Sequence, residues 1–220
     1  MESISIDMKS ATFQTLARVV LPATKRLSLG ISLSSGGDTS GMPTINHLLE
    51  GARRSTSLEL IIWDKMLVVA PESITCTALT HLFIAGPVSV DAMLKIIGRL
   101  PRLAVLKLYS LYQCDAKTDI SIPEVDEDIM VEPLSTSLKV LDIVYDNARH
   151  LPYTAVAVAK YALLRFPMLA KLSCWQTPAD PVLRFVDAYT PCYPHLAGVE
   201  VRLYKNTETA NIVFSSRVCL

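Results

Sequence analysis

A short leucine pattern that follows a proline occurs several times in this chain and constrains the fold more than any other feature. The clearest copy reads Leu100-Pro101-Arg102-Leu103-Ala104-Val105-Leu106-Lys107-Leu108-Tyr109, with leucines spaced L-x-x-L-x-L. Residues 166–174 and 193–201 have the same layout, and residues 21–29 are a weaker copy. Because proline cannot continue a helix interior, each copy predicts the end of a helix followed by a strand.

The spacing of the copies predicts a repeated strand-and-helix unit. Aligning the first leucine at positions 24 (a threonine), 58, 79, 103, 138, 169 and 196 gives steps of 34, 21, 24, 35, 31 and 27 residues. Three steps fit a unit of about 20–29 residues, and the others require inserted loops. One short strand and one helix cannot bury their apolar faces alone, so we expect stacked copies to share a continuous core.

Between the copies, periodicity and capping signals predict the remaining elements. We expect an N-terminal helix or cap over residues 1–21, a repeat domain over 22–204 with an acidic loop at 112–137, and a tail over 205–220. Helices are predicted over residues 7–20, 43–53, 90–99 with Ser89 as N-cap, 154–165 with Thr154 as N-cap, and from Asp180-Pro181 onward. Strands are predicted over residues 27–31, 55–62, 79–84, 103–109, 138–143, 169–174 and 196–204.

Composition narrows the class of protein. Half of the 220 residues are apolar, and 21 basic residues balance 21 acidic ones, so neither nucleic acid nor an anionic membrane is favoured as a partner. The sequence contains no signal peptide pattern and no apolar run long enough to cross a bilayer. Five scattered cysteines (76, 114, 174, 192 and 219) are typical of reduced thiols, which predicts a cytoplasmic or nuclear protein, and we expect a monomer.

The repeats resemble those of leucine-rich-repeat proteins. The residues at 79–97, 132–143 and 154–164 are most similar to the C-terminal repeat region of uncharacterised fungal F-box-type leucine-rich-repeat proteins. The resemblance implies an irregular α/β solenoid of about seven strand units, with a parallel sheet on the concave side and helices on the convex side. It also implies a role in protein binding.

Two departures from the family pattern stand out. Many repeats of this family carry asparagine or cysteine three residues after the last strand leucine, where this chain has Pro87, Leu111, Asp146, Thr177 and Tyr204. The helical F-box segment expected ahead of the repeats is not seen, because only about 20 residues precede the first predicted strand. A substrate-receptor arm of an F-box ubiquitin ligase therefore stays an alternative function.

The repeat alignment places strand positions 3, 5 and 7 on the concave side. The candidate partner-binding residues are His81, Phe83, Val105, Lys107, Tyr109, Asp142, Val144, Lys171, Trp175, Glu200 and Arg202. The same alignment adds Leu60, Ile62, Asp64, Ala85, Val140, Ser173 and Gly198, although Leu58, Leu60 and Ile62 could instead face inward. Aromatic side chains among charges are typical of protein interfaces, while the competing interpretation is that a loop covers them as additional core.

Signals for catalysis are missing from the sequence. The four histidines lie far apart, no nucleophile, phosphate-binding or dinucleotide motif occurs, and the acidic run at 124–128 lacks the ligand spacing of an EF-hand. Cys174 occupies an inward strand position, which predicts a buried, inert thiol. We therefore expect a non-catalytic scaffold that needs no metal or cofactor. A doubly wound α/β enzyme domain is the remaining alternative, and it requires a non-sequential strand order.

Overall fold

The computed structural model describes residues 3–9, 25–32, 54–62, 74–112, 132–145, 152–175, 179–204 and 213–214, which form an α/β fold. The strands are β1 (Ser3–Lys9), β2 (Arg26–Ser32), β3 (Ser57–Ile62), β4 (His81–Ser89), β5 (Val105–Tyr112), β6 (Val140–Tyr145), β7 (Lys171–Trp175), β8 (Glu200–Tyr204) and β9 (Val213–Phe214). The helices are α1 (Val90–Arg99), α2 (Pro152–Arg165) and α3 (Ala179–Tyr189), with a 3-10 helix over Pro194–Gly198.

All nine strands belong to one sheet, and their order across the sheet is their order along the chain. Strands β1 to β8 pair in parallel, and β9 pairs antiparallel with β8. A doubly wound sheet reverses its strand order at a switch point. The sequential order of this sheet contains no such reversal among the strands described.

Two rows of apolar side chains run across the sheet and form its buried face. The register aligns Leu27, Leu58, Leu82, Leu106, Leu141, Leu172 and Val201 in one row, and Leu29, Leu60, Ile84, Leu108, Ile143, Cys174 and Leu203 in the next. Every one of these side chains is buried. Along the first row the residue numbers differ by 31, 24, 24, 35, 31 and 29.

These rows correct the predicted register at two places. Leu58 pairs with Leu82, so Leu58 takes the fourth repeat position and the buried Ser55 takes the first. Leu60 and Ile62 therefore face the core, and not the concave side on which the alignment placed them. At the other end Val201 lies opposite Leu172, two residues later than the alignment on Leu196 predicted. Asp64 lies outside the described residues.

A hydrogen-bonded turn precedes four of the strands. The N–H groups of Leu79, Leu103, Leu169 and Leu196 donate to the carbonyls of Cys76, Leu100, Phe166 and Tyr193 at 2.9–3.0 Å. The last three turns contain the prolines of the sequence motif, at the position where a fixed φ favours a turn. After the last turn, the Val199 N–H donates to the Leu196 carbonyl at 3.2 Å and adds a 3-10 helical turn. That extra turn delays β8 and places Gly198 in the 3-10 helix instead of on the strand.

A ladder of shared carbonyl groups aligns the starts of the strands. Each carbonyl accepts two N–H bonds of 2.8–3.1 Å from the start of the following strand, and the carbonyls are those of Lys25, Thr56, Thr80, Ala104 and Lys139. The hydroxyls of Thr56 and Thr80 also donate to the carbonyls of Lys25 and Thr56, at 3.2 and 3.0 Å. Because the backbone groups are paired in the same way at each step, the strands keep a constant stagger.

The helices agree with the predicted positions, with small shifts at their ends. Helix α1 spans 90–99 as predicted, and the Ser89 hydroxyl accepts the Ala92 N–H at 3.1 Å. Helix α2 begins at Pro152 rather than after Thr154, and α3 begins at Ala179. At the N-terminus the prediction was wrong for residues 7–9, which belong to strand β1. Residues 10–20, the predicted helix 43–53 and residues 113–131 of the acidic loop lie outside the described residues.

A bulge interrupts the ladder between β4 and β5. The register passes from Ala85 opposite Tyr109 to Val88 opposite Leu111, so two residues of β4 oppose Ser110. Ser110 has a positive φ of 91°, an uncommon conformation for a residue with a side chain. Val88 and Leu111 are both fully buried. Apolar packing therefore occupies the positions where the leucine-rich-repeat pattern that the sequence resembles has a polar ladder.

We expect Gly86→Ala to destabilise the fold by about 1–3 kcal/mol through overpacking. A Cβ atom at residue 86 would lie 2.8 Å from the Ile62 Cβ atom, which cannot move without its backbone. The matched control is Gly198→Ala, because a Cβ atom there meets nothing within 4 Å. Urea denaturation followed by circular dichroism measures both changes. Equal stability of the two variants would show that β3 and β4 are farther apart than described.

Candidate interaction surface

The side chains that alternate with the buried rows form the other face of the sheet, which we call the open face. Across β3 to β8 the register produces three rows, taken in the direction of the strands. The first row holds Ser57, His81, Val105, Val140, Lys171 and Glu200; the middle row holds Glu59, Phe83, Lys107, Asp142, Ser173 and Arg202; and the last row holds Ile61, Ala85, Tyr109, Val144, Trp175 and Tyr204.

The eleven predicted binding residues all occupy these three rows. His81, Lys107 and Tyr109 are exposed, and the others whose side chains are described are half-buried. Trp175 is placed by its register opposite Val144, and its side chain lies outside the described residues. The alternation along each strand therefore brings together residues that are up to 121 positions apart in the sequence (81 to 202). Binding of a partner by these residues remains a prediction.

Two aromatic rings contact each other on the open face. Phe83 in the middle row and Tyr109 in the last row contact each other edge to face, with centroids 5.2 Å apart and an interplanar angle of 64°. They are diagonal neighbours on adjacent strands, a distance that aromatic side chains can bridge. Tyr109 keeps 40 % of its surface exposed, whereas Phe83 is half-buried. The pair is an apolar projection that the protein itself only partly covers.

Charge surrounds this aromatic pair. Lys107 lies beside Phe83 in the middle row, and Asp142 follows Lys107 on the next strand. Partial burial raises the pKa of the Tyr109 hydroxyl above its ordinary value, and the Asp142 carboxylate raises it further. Both effects disfavour the phenolate, so Tyr109 presents a hydrogen-bond donor at neutral pH.

Each end of the open face carries a short polar contact. On β8, the Arg202 Nε atom donates to the Glu200 Oε1 atom at 2.6 Å, and the two side chains form an ion pair. On the other side, the Ser28 hydroxyl donates to the Glu59 Oε2 atom at 2.8 Å. Half-buried contacts of this kind add little to stability, on the order of 0–1 kcal/mol. They hold the carboxylates in defined orientations.

Between Asp142 and Arg202 the middle row holds Ser173, a small residue that is only 4 % exposed. Directly after it, Cys174 points into the core and is fully buried, as predicted. Burial raises the pKa of the Cys174 thiol, and the Asp142 carboxylate acts in the same direction. A thiol in this setting lacks the thiolate character that nucleophilic cysteines need.

The alignment of the internal repeats missed three residues of the open face on β3. Ser57, Glu59 and Ile61 occupy the three rows there, because Leu58 and Leu60 belong to the buried rows. The misleading signal was the shared run Ser-Thr-Ser-Leu, which starts at Ser55 and at Ser135 but falls at different repeat positions. Strict alternation in residues 57–60, matching that of residues 26–29, is the signal that identifies the correct register.

Comparisons with known proteins add no assignment: no protein-family model matches the chain, and a search of curated proteins returns no significant match. Within the described part of the chain, no helix has the length and apolar character to cross a membrane. The same residues contain no cluster of three or more histidine, cysteine or acidic side chains arranged to hold a metal ion.

Proposed function

We propose that this chain is an irregular leucine-rich-repeat solenoid that binds a protein partner through the open face and performs no catalysis. Support for the solenoid comes from chain-ordered parallel strands, from two apolar rows at a constant stagger, and from the turn that precedes four strands. In such an array each unit contacts only its neighbours, and the strand face offers an extended binding surface.

The observation that carries the binding proposal is the Phe83–Tyr109 pair on the open face. Energetically important interface residues are enriched in aromatics that project from a surface and are surrounded by polar groups. Lys107 and Asp142 provide charges of both signs next to the rings. A surface of this composition suits a protein with a complementary apolar pocket and mixed charges better than it suits a polyanion.

The test compares partner sets captured from native lysate by the wild-type chain and by the double variant Phe83→Ala, Tyr109→Ala. Loss of two aromatic anchors is expected to weaken binding at least roughly thirtyfold, since one such anchor contributes about 2 kcal/mol or more. The matched control is Lys95→Ala, which removes an exposed side chain that forms an ion pair with Asp91 on helix α1. A partner retained by the control and lost by the double variant is then titrated as a purified protein.

Two outcomes would change the proposal. Identical partner sets from the wild type and the double variant, with both proteins folded, would exclude the open face as the binding site. Capture of the adaptor subunit of a ubiquitin ligase together with other proteins would support the F-box-type alternative over a free-standing scaffold.

A further inference from the structure

A second surface lies on the helices, away from the open face. A groove of about 470 Å³ runs between α2 and α3 and is lined by Lys160, Pro181, Arg184, Phe185 and Tyr189. The apolar sides of both helices pack into the same core as the buried rows of the sheet. The groove therefore belongs to the helical side of the fold and is independent of the Phe83–Tyr109 pair.

The floor of the groove is aromatic. Phe185 is 5 % exposed and stacks on Tyr189, with ring centroids 4.1 Å apart and an interplanar angle of 26°. Tyr193 continues the stack at 6.2 Å. Pro181 adds an apolar wall at the start of α3. A flat or aliphatic side chain entering the groove would meet the half-buried Tyr189 ring and the exposed Pro181, with the buried Phe185 ring beneath them.

Both charged residues that line the groove are cations. The Lys160 Nζ atom lies 5.3 Å from the centroid of the Phe185 ring, and Arg184 projects from α3 as an exposed side chain. Asp180 and Asp187 share the helix with Arg184, yet no carboxylate among the described residues forms an ion pair with Lys160 or Arg184. The groove thus combines an aromatic floor with two cations that form no close ion pair among these residues.

We propose that this groove binds an acidic segment of a partner protein in which a carboxylate side chain lies next to an aromatic or large aliphatic one. The carboxylate would pair with Lys160 and Arg184, and the apolar side chain would lie on Pro181 and Tyr189. Charge complementarity selects the anion, since a cationic segment would face two like charges. The groove is partly open to solvent, whereas small-molecule sites enclose most of the surface of their ligand.

Fluorescence polarisation with labelled synthetic peptides tests this proposal on the full 220-residue chain. The probe is Gly-Asp-Glu-Phe-Asp-Gly, and the comparison peptides are Gly-Lys-Lys-Phe-Lys-Gly and Gly-Asp-Glu-Gly-Asp-Gly. We expect saturable binding of the probe. The Kd of each comparison peptide should be at least roughly tenfold higher than that of the probe. The double variant Lys160→Gln, Arg184→Gln should raise the Kd of the probe at least roughly tenfold, because two charge-assisted contacts are lost.

Matched variants separate this site from the rest of the surface. Arg99→Gln with Arg102→Gln removes two exposed cations elsewhere and should leave the Kd of the probe unchanged. The double variant Phe83→Ala, Tyr109→Ala should also leave the Kd of the probe unchanged, because the groove is separate from the open face. The groove proposal is therefore tested independently of the open-face proposal. Thermal denaturation of every variant verifies folding.

Five results would overturn the proposal. The first is equal affinity for the acidic and basic peptides, and the second is an unchanged Kd in the Lys160→Gln, Arg184→Gln variant. The third is displacement of the probe by phenylacetate at equal molar concentration, which would indicate a small-molecule site. The fourth is self-association of the wild type that the double variant abolishes. The fifth is probe binding only after Asp126→Asn, Glu127→Gln and Asp128→Asn, which would assign the groove to the chain's own acidic stretch.

Discussion

Leu106→Ala is expected to lower the free energy of unfolding by about 2–5 kcal/mol, the cost of opening a cavity in a packed core. Leu106 is fully buried in strand β5, between Leu82 and Leu141 in the first apolar row. In a stacked sheet the row is shared by neighbouring units, so a cavity at its middle removes contacts from the strands on both sides. Urea denaturation followed by far-ultraviolet circular dichroism measures the change.

The control for this prediction is the next residue in the chain. Lys107 is exposed on the open face, so Lys107→Ala should change the free energy of unfolding by no more than about 0.5 kcal/mol. The pair tests which face of β5 is buried. If Lys107→Ala unfolds the protein and Leu106→Ala is harmless, the described register of the sheet is wrong.

Phe166→Ala should destabilise the protein by about 3–5 kcal/mol, the usual cost of removing a fully buried aromatic ring. Phe166 is among the largest side chains with no exposed surface. Its N–H donates to the Ala162 carbonyl at 3.2 Å, and its carbonyl accepts the Leu169 N–H at 2.9 Å. The ring therefore fills the core where α2 ends and the turn into β7 begins.

Met168→Ala is the matched control for Phe166, because the two residues belong to the same turn. Met168 is 53 % exposed, so its truncation creates no cavity, and we expect a change within about 0.5 kcal/mol. Thermal denaturation of both variants against the wild type provides the comparison. Similar losses from the two substitutions would place the Phe166 ring outside the core.

Local signals in the sequence were sufficient for the α/β class, for α1 and for the inward side of β4 to β7. The Ser89 cap and the spacing of Val90, Met93 and Ile97 concern residues within one helix, and the helix forms where these signals predict it. Leucines at L-x-x-L-x-L spacing face the core in β5 because alternation along a strand is a property of the strand alone. The residues that alternate with these leucines share the opposite face of the sheet, which is why the predicted binding residues lie together on the open face.

Predictions that depended on counting between repeats were less accurate. Residues 55–58 and 135–138 are identical in sequence, yet only Leu58 belongs to the first apolar row. On β6 the residue of that row is Leu141, three residues after Leu138. Leu196 follows a proline as Leu103 does, but the additional 3-10 turn shifts β8 by two residues. The two-residue shift at β8 keeps every side chain on the same face, so the hydrophobic pattern alone does not reveal it. The three-residue shift at β3 moves Leu60 and Ile62 to the buried face, as the alternation of residues 57–60 indicates.

The helix-side groove had no signal in the sequence. Lys160 lies in an alanine-rich helix, and Arg184 and Phe185 lie in a helix that begins 19 residues later (160 to 179). Helix α3 alone shows an amphipathic pattern with scattered charges, and helix α2 is mostly apolar with Lys160 and Arg165 as its charged residues. The combination of two cations and an aromatic floor arises from the packing of α2 against α3, which brings Lys160 over the Phe185 ring.

The sequence by itself determined the secondary-structure class, the identity of most core residues and the alternation that separates a buried face from an open one. These properties follow from interactions over a few residues, where periodicity and capping leave little choice. Only the tertiary structure decided the register between strands, the addition of β1 to the sheet and the pairing of Phe83 with Tyr109. The reason is that hydrogen bonds between the carbonyl of one unit and the N–H groups of the next set the stagger, and these bonds join residues 24 or more positions apart.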